Sequence, residues 1–124
     1  MSQSSYRVYY EDTDAGGVVY HANYLRFCER ARSDHIFNKG SSPQRGNNHF
    51  VIVDMHAKFK APARLGDIIE VSVETVKINN ASIVLYQVIK KDEKILFTME
   101  GTFALTNDKG RPVKLTEVDR ELFN

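Results

Sequence analysis

The sequence predicts an α+β protein, a five-stranded antiparallel sheet wrapped around one long central helix. Three observations carry this reading. One stretch, from about Asn23 to Lys39, repeats its apolar residues with helical spacing. The remaining structured stretches are short β-rich runs, most with a two-residue period, separated by turn residues. A sheet of that size exposes a broad apolar face, and the single amphipathic helix is the element available to cover it.

Taken in order, residues 6–10, YRVYY, read as the first strand, followed by the polar loop EDTDAGG. In the helix, Tyr24, Phe27, Cys28, Ala31 and His35 form one stripe in which only His35 is polar, while Arg26, Arg30, Ser33 and Asp34 lie opposite. Gly40 stands where a helix stop belongs, and SSPQRGNN reads as loop. The period then becomes two. In FVIVDMHAKFK, alternation puts Val51, Val53, Met55, Ala57 and Phe59 on one face. APARLGD is a turn. Residues 68–78 form the next run, and its alternation slips near Glu74 and Thr75, which predicts a bulge. Asn79-Asn80 turns the chain into residues 82–90, apolar on both faces over part of their length as a central strand would be. KDEK leads into residues 95–105, with Ile95, Phe97, Met99, Phe103 and Leu105 on one face, and LTEVDRELF suggests a short closing helix. The four later strands are expected in meander order. The helix stripe is about 17 Å long at ~1.5 Å per residue, close to the width of three or four strands at roughly 4.8 Å spacing. Long apolar strands leave edges to be closed, which predicts dimerisation.

The bulk numbers bound the function. A length of 124 residues suggests one domain, spanning 1–124, able to bury a core without disulfides or structural metal. The net charge of +1 gives no electrostatic case for nucleic acid. Cys28 is the one cysteine, so no intrachain disulfide can form. The N-terminus lacks a signal-peptide core, and no apolar run reaches the length of a membrane span. The expectation is a cytoplasmic protein.

The chemistry is concentrated in YEDTDAGGVVYHANYLRFCERAR, Tyr10 to Arg32. Asp12 and Asp14 lie in the strand-to-helix loop, where a carboxylate can act as nucleophile or general base. Gly16 and Gly17 permit close backbone approach. The amides from about Val18 to His21 then lead into a helix N-terminus, whose free N–H groups and dipole suit an oxyanion. His21 adds an imidazole, a side chain able to carry a proton to or from a substrate. Each piece has a plainer reading, since loop aspartates usually cap helices and paired glycines usually turn the chain. A metal held by Asp12, Asp14 and His21 lacks a convincing further ligand. Cys28 on the apolar stripe reads as core, and Glu29 with Arg32 as a surface ion pair.

This string resembles the signature of the hotdog-fold thioesterases of the 4-hydroxybenzoyl-CoA thioesterase type, and within them the Tol-Pal-associated acyl-CoA thioesterase branch. The matching positions are Asp12, Asp14, Gly17, Val18, Val19, Tyr20 and His21, then Tyr24, Phe27, Glu29, Ala31 and Arg32, with Phe59, Pro62, Ala63, Gly66 and Asp67 agreeing more loosely. The resemblance implies an acyl-CoA thioester hydrolase. Asp14 would attack the thioester carbonyl or activate water, and the amide at or near His21 would polarise that carbonyl. The His21 side chain would orient substrate or assist proton transfer. Tyr10 and Asp12 would shape the loop, with Gly17, Val18, Val19 and Tyr20 forming the oxyanion region. No cofactor or metal is implied. Sites would lie at the interface of a homodimer or homotetramer.

The substrate's phosphates call for basic residues at the pocket mouth, and Lys58, Lys60 and Arg64 are the candidates. The 4-hydroxybenzoyl enzyme carries basic residues where this chain has Asn79, Asn80 and Ala81, so an aromatic acyl group is not implied. Acyl carrier protein is a second candidate donor. The alternatives are a non-catalytic acyl-CoA or acyl-carrier-protein binding module of envelope or lipid machinery, a structural partner of an envelope complex, and, more weakly, a hotdog dehydratase.

Overall fold

A computed structural model describes residues Met1 to Asn124. The elements run β1 (Ser2–Arg7), a 3-10 turn (Tyr10–Asp12), α1 (His21–Asn38), β2 (His49–Phe59), β3 (Ile68–Ile78), β4 (Ser82–Lys91), β5 (Lys94–Thr106) and α2 (Glu117–Leu122). All strand pairs are antiparallel, and the order across the sheet is β1-β3-β4-β5-β2. The helix stripe is where the spacing puts it, and Tyr24, Phe27, Cys28, Ala31 and His35 are all buried. Gly40, at φ +80, ends the helix, its amide donating to the Phe37 carbonyl at 2.9 Å and the Ser41 amide donating to Ile36 at 3.2 Å.

Four expectations need correction. The first strand is Ser2–Arg7, not 6–10. Past Val8 the chain leaves the sheet, because the Asp12 carboxylate accepts the Tyr9 amide at 2.8 Å and winds residues 10–12 into a turn. The meander order holds only for β3, β4 and β5. β1 takes the place beside β3, so β2 lies at the far edge, beside β5.

The other two corrections concern faces. Alternation along β2 breaks at a register shift between Ile52 and Asp54. Pairing then sets Phe50, Ile52, Met55, Ala57 and Phe59 opposite the inward residues of β5, with Val53 as the extra residue and Val51 on the outer face. A second irregularity, between Ile89 and Lys90, leaves Ile95 exposed and buries Leu96 in its stead. The bulge expected near Glu74 and Thr75 falls between Thr75 and Lys77.

Helix α1 packs on β3, β1 and β4. The far half of the inner face has no helix of its own, and Ile52, Met55 and Phe59 remain 47%, 41% and 57% exposed on β2. The core lies under the helix, where Phe27 and Phe97 are the largest fully buried side chains.

Candidate active site

The loop between β1 and α1 is a small antiparallel ladder. The Asp14 amide donates to the Val18 carbonyl at 2.9 Å, Thr13 bridges Val19, and the Tyr20 amide donates to the Asp12 carbonyl at 3.0 Å. Asp14 sits exposed at its tip, where one carboxylate oxygen accepts the Gly16 amide at 2.8 Å. Gly17, at φ +77, takes a conformation that a side chain would strain. Asp12, by contrast, is a frame residue. Its carboxylate accepts the Tyr9 amide, and its carbonyl takes the Asn23 side-chain amide at 2.9 Å as well as the Tyr20 amide. Tyr10 is 82% exposed, and its carbonyl accepts the Thr13 amide and hydroxyl. Val19 is buried and Val18 half-buried, so these two anchor the ladder to the core.

Helix α1 then begins without a cap. Tyr20 is its N-cap residue and no side chain accepts from the first amides. His21 is the first helical residue, so its amide has no intrahelical carbonyl to meet. The His21 ring is exposed and lies 4.3 Å from the Tyr20 ring, tilted 40° to it. An exposed carboxylate and an open helix N-terminus thus share one short ladder.

The turn between β2 and β3 braces this ladder. The Val19 amide donates to Ala63 at 2.9 Å, the Leu65 amide to Gly17 at 3.2 Å, and Val18 bridges Arg64. The Tyr24 hydroxyl accepts the Ala63 amide at 3.0 Å. Arg64 and Lys60 are both exposed, and Arg64 is bridged directly to the loop. Lys58 pairs with Thr98 on the outer face of the sheet, the side away from α1. The turn is itself stiffened by Asp67. Burial raises that carboxyl's pKa, but the Arg64 amide and the Lys91 ammonium at 2.9 Å outweigh it and hold it below the usual carboxylate range.

Two residues missed as a pair line the interior under the C-terminal half of α1. Arg32 does not form the expected surface ion pair. It turns inward, donating to the Gln87 side-chain oxygen at 2.8 Å and lying 4.5 Å from the Phe103 ring centre. Gln87 in turn donates to the Cys28 carbonyl at 3.0 Å. The sequence signal was the glutamine itself, the one polar residue at an inward position in the alternation Ile83, Leu85, Gln87, Ile89. Burial lowers the Arg32 pKa, opposed by Cys28 and Glu29. Burial pushes the Cys28 thiol up to about 12, which leaves it an unreactive core group. No group of three or more His, Cys, Asp or Glu side chains is arranged to hold a metal ion. No helix is long and apolar enough to cross a membrane.

A sheet curled around one helix, with a carboxylate-bearing loop at the helix start, defines a hotdog-fold protein. The chain belongs to the thioesterase superfamily, whose family model matches residues 16–98. It is 38% identical over 129 residues to the acyl-CoA thioesterase YbgC of Helicobacter pylori, covering 95% of this chain and 96% of that protein. It is 44% identical over 93 residues to the acyl-CoA thioester hydrolase YbgC of Escherichia coli O6:H1, covering 73% of this chain and 69% of that one. Among solved structures it resembles a thioesterase from Thermus thermophilus complexed with coenzyme A and zinc, with a TM-score of 0.81 and 25% identity over 98% of this chain and 90% of that one.

Proposed function

We propose that the protein hydrolyses acyl-CoA thioesters, with Asp14 as the reacting carboxylate and the His21 amide as donor to the carbonyl oxygen. The observation that carries this is the uncapped start of α1 on the same ladder as an exposed aspartate. The superfamily and the activities of the relatives support the substrate class.

The chemistry needs little more. As negative charge builds on the carbonyl oxygen, the free amide and the positive end of the helix dipole stabilise it. Asp14 either takes a proton from the attacking water or adds to the carbonyl itself, the acyl-enzyme then being hydrolysed. In both cases the carbon–sulfur bond breaks, the thiolate leaves and is protonated, and the acyl group departs as a free acid. The reaction so written calls for no metal or cofactor. Exposure of Lys60 and Arg64 and the Arg64 bridge to the loop support these two as the cations for substrate phosphates, ahead of Lys58 on the outer face of the sheet.

The working unit in this reading is at least a homodimer. β2 is an edge strand with unpaired backbone groups and exposed Ile52, Val53, Met55 and Phe59. Antiparallel pairing of two β2 strands about a two-fold axis would also set the two α1 helices antiparallel. Each Asp14 loop would then approach the C-terminal half of the other subunit's helix, so both subunits would build each site. The remaining parts of the proposal are a cytoplasmic location, acyl carrier protein as a second donor, and an association with the Tol-Pal machinery. The Tol-Pal association rests on the signature from Tyr10 to Arg32.

Thiol release from short, long and aromatic acyl-CoAs, by the native protein and by Asp14→Asn, tests the reading. Turnover should fall by roughly 100–1000-fold or more in the variant, as for loss of one transition-state contact, with an unchanged melting temperature because the side chain is exposed. Binding of acyl-CoA without turnover by the native protein would replace the enzyme by the binding-module reading. Sedimentation should report a dimer or larger species, and Met55→Arg should shift it to monomer and abolish turnover.

A further inference from the structure

We infer that Phe123 sets the length of acyl chain the protein accepts. The inference rests on the dimeric thioesterase reading above and goes beyond it. A cleft of about 750 Å³ opens between the C-terminal half of α1, the loop before β2, and the inner faces of β2, β4 and β5. Its inner wall is apolar, formed by Ile36, Phe50, Ile83, Leu85 and Phe103. Arg32 at its side is already engaged by Gln87 and Phe103. The cleft borders β2, so β2 pairing would bring the partner subunit's loop to its mouth, with the apolar wall beyond the reacting carbon. That is where a hydrocarbon tail belongs.

A second, largely polar and half-open cleft of about 440 Å³ lies beyond the chain end, lined by Ser2, His35, Lys39, Glu74 and Thr75 as well as Val73. Phe123 is the one residue that lines both spaces. Phe123 therefore stands between the two, and it is held firmly. His35 stacks on it at 5.4 Å with the planes 20° apart, and Phe50 meets it edge-on at 5.8 Å. The Phe123 carbonyl accepts the Thr75 hydroxyl at 2.5 Å, and the preceding Leu122 carbonyl accepts His35 Nε2–H at 2.7 Å. Helix α2, which delivers Phe123, is anchored by its own Thr116–Asp119 capping box and by the Arg45–Asp119 ion pair at 2.9 Å. A chain that fills the first space stops against Phe123, and truncating its ring lengthens that space.

The test is the chain-length profile of kcat/KM on saturated acyl-CoAs for the native protein, Phe123→Ala and Phe123→Trp, with circular dichroism to establish folding. Phe123→Ala should raise kcat/KM for chains beyond the native optimum by roughly tenfold, the worth of a methylene or two entering the space the ring vacates, and so move the optimum toward longer chains. Phe123→Trp should lower the long-chain arm. Affinity for non-hydrolysable alkyl-CoA thioethers should follow the same order. An unchanged profile in both folded variants, or in Phe123→Trp alone if Phe123→Ala does not fold, overturns the assignment while leaving the thioesterase reading intact. No turnover of any acyl-CoA by the native protein overturns both.

Discussion

The two ends of α1 are built in opposite ways. At the C-terminal end every device for stability is in use. Gly40 adopts the left-handed turn, the Gly40 and Ser41 amides return to helix carbonyls, and His35 ties the last turn to α2 and β1 through Leu122 and Ser2. At the N-terminal end the helix starts from exposed Tyr20 with no side-chain cap, although the short α2 has a full capping box. The chain therefore carries a capping motif and withholds it at this one helix start. The uncapped start leaves backbone donors open to a ligand, and the anchored end supplies rigidity that the open end lacks.

The sharpest way to break this contrast is at the anchored end. His35→Ala removes the stack on Phe123 and leaves a buried carbonyl unpaired, and should cost roughly 2–4 kcal/mol in chemical denaturation. The same residue gives a pH signature. Burial holds the imidazole below its ordinary value, helped by Lys39 and the N-terminal amine and opposed by the Leu122 carbonyl. The folded protein thus takes up a proton less readily than the unfolded chain. Stability contributed by neutral His35 is full above about pH 6.5 and is lost as the pH falls through the window below it. Denaturation midpoints measured from pH 8 down to 5 should show that slope, and His35→Gln should flatten it.

Gly40→Ala should cost less, about 1–2 kcal/mol, because only the backbone conformation at φ +80 resists a side chain and no atom lies within 4 Å of the added Cβ. At the open end the sign should reverse. Tyr20→Asp supplies the missing cap and should stabilise the protein by roughly 0.5–2 kcal/mol. The same change occupies the free amides and sets a negative charge beside Asp14, so thiol release should drop as the melting temperature rises. A variant that gained stability and kept full activity would show that those amides are not used.

Much of this was legible along the chain. The helix stripe survives intact because an isolated helix must turn its one apolar face to the only sheet there is, as Tyr24 through His35 do. The residues of the loop ladder are contiguous, so its composition announced a strand-to-helix junction with carboxylates. What failed were inferences that assume uninterrupted alternation or neighbourly strands. The extra residue at Val53 moves Ile52 inward and Val51 outward, and nothing in FVIVDMHAKFK marks where the slip falls. Arg32 was read as a surface ion-pair member because Glu29 lies three residues before it, whereas its true partner, Gln87, stands on β4. Lys58, Lys60 and Arg64 look equivalent in sequence, and only pairing register separates the first from the other two.

By itself the sequence determined the local features: which residues form the helix, which alternate as strands, and which short segment holds the carboxylate, the glycines and the open helix start. These depend on neighbours a few residues apart, whose spacing and capping chemistry are written directly in the chain. It took long-range packing to set β2 at an edge beside β5, to bring Arg32 to Gln87 and to put Phe123 against two clefts. Those are contacts between residues far apart in the chain, fixed by the competition of β1 and β2 for the place beside β3 and by how the last residues pack back onto the helix, and no local pattern records them.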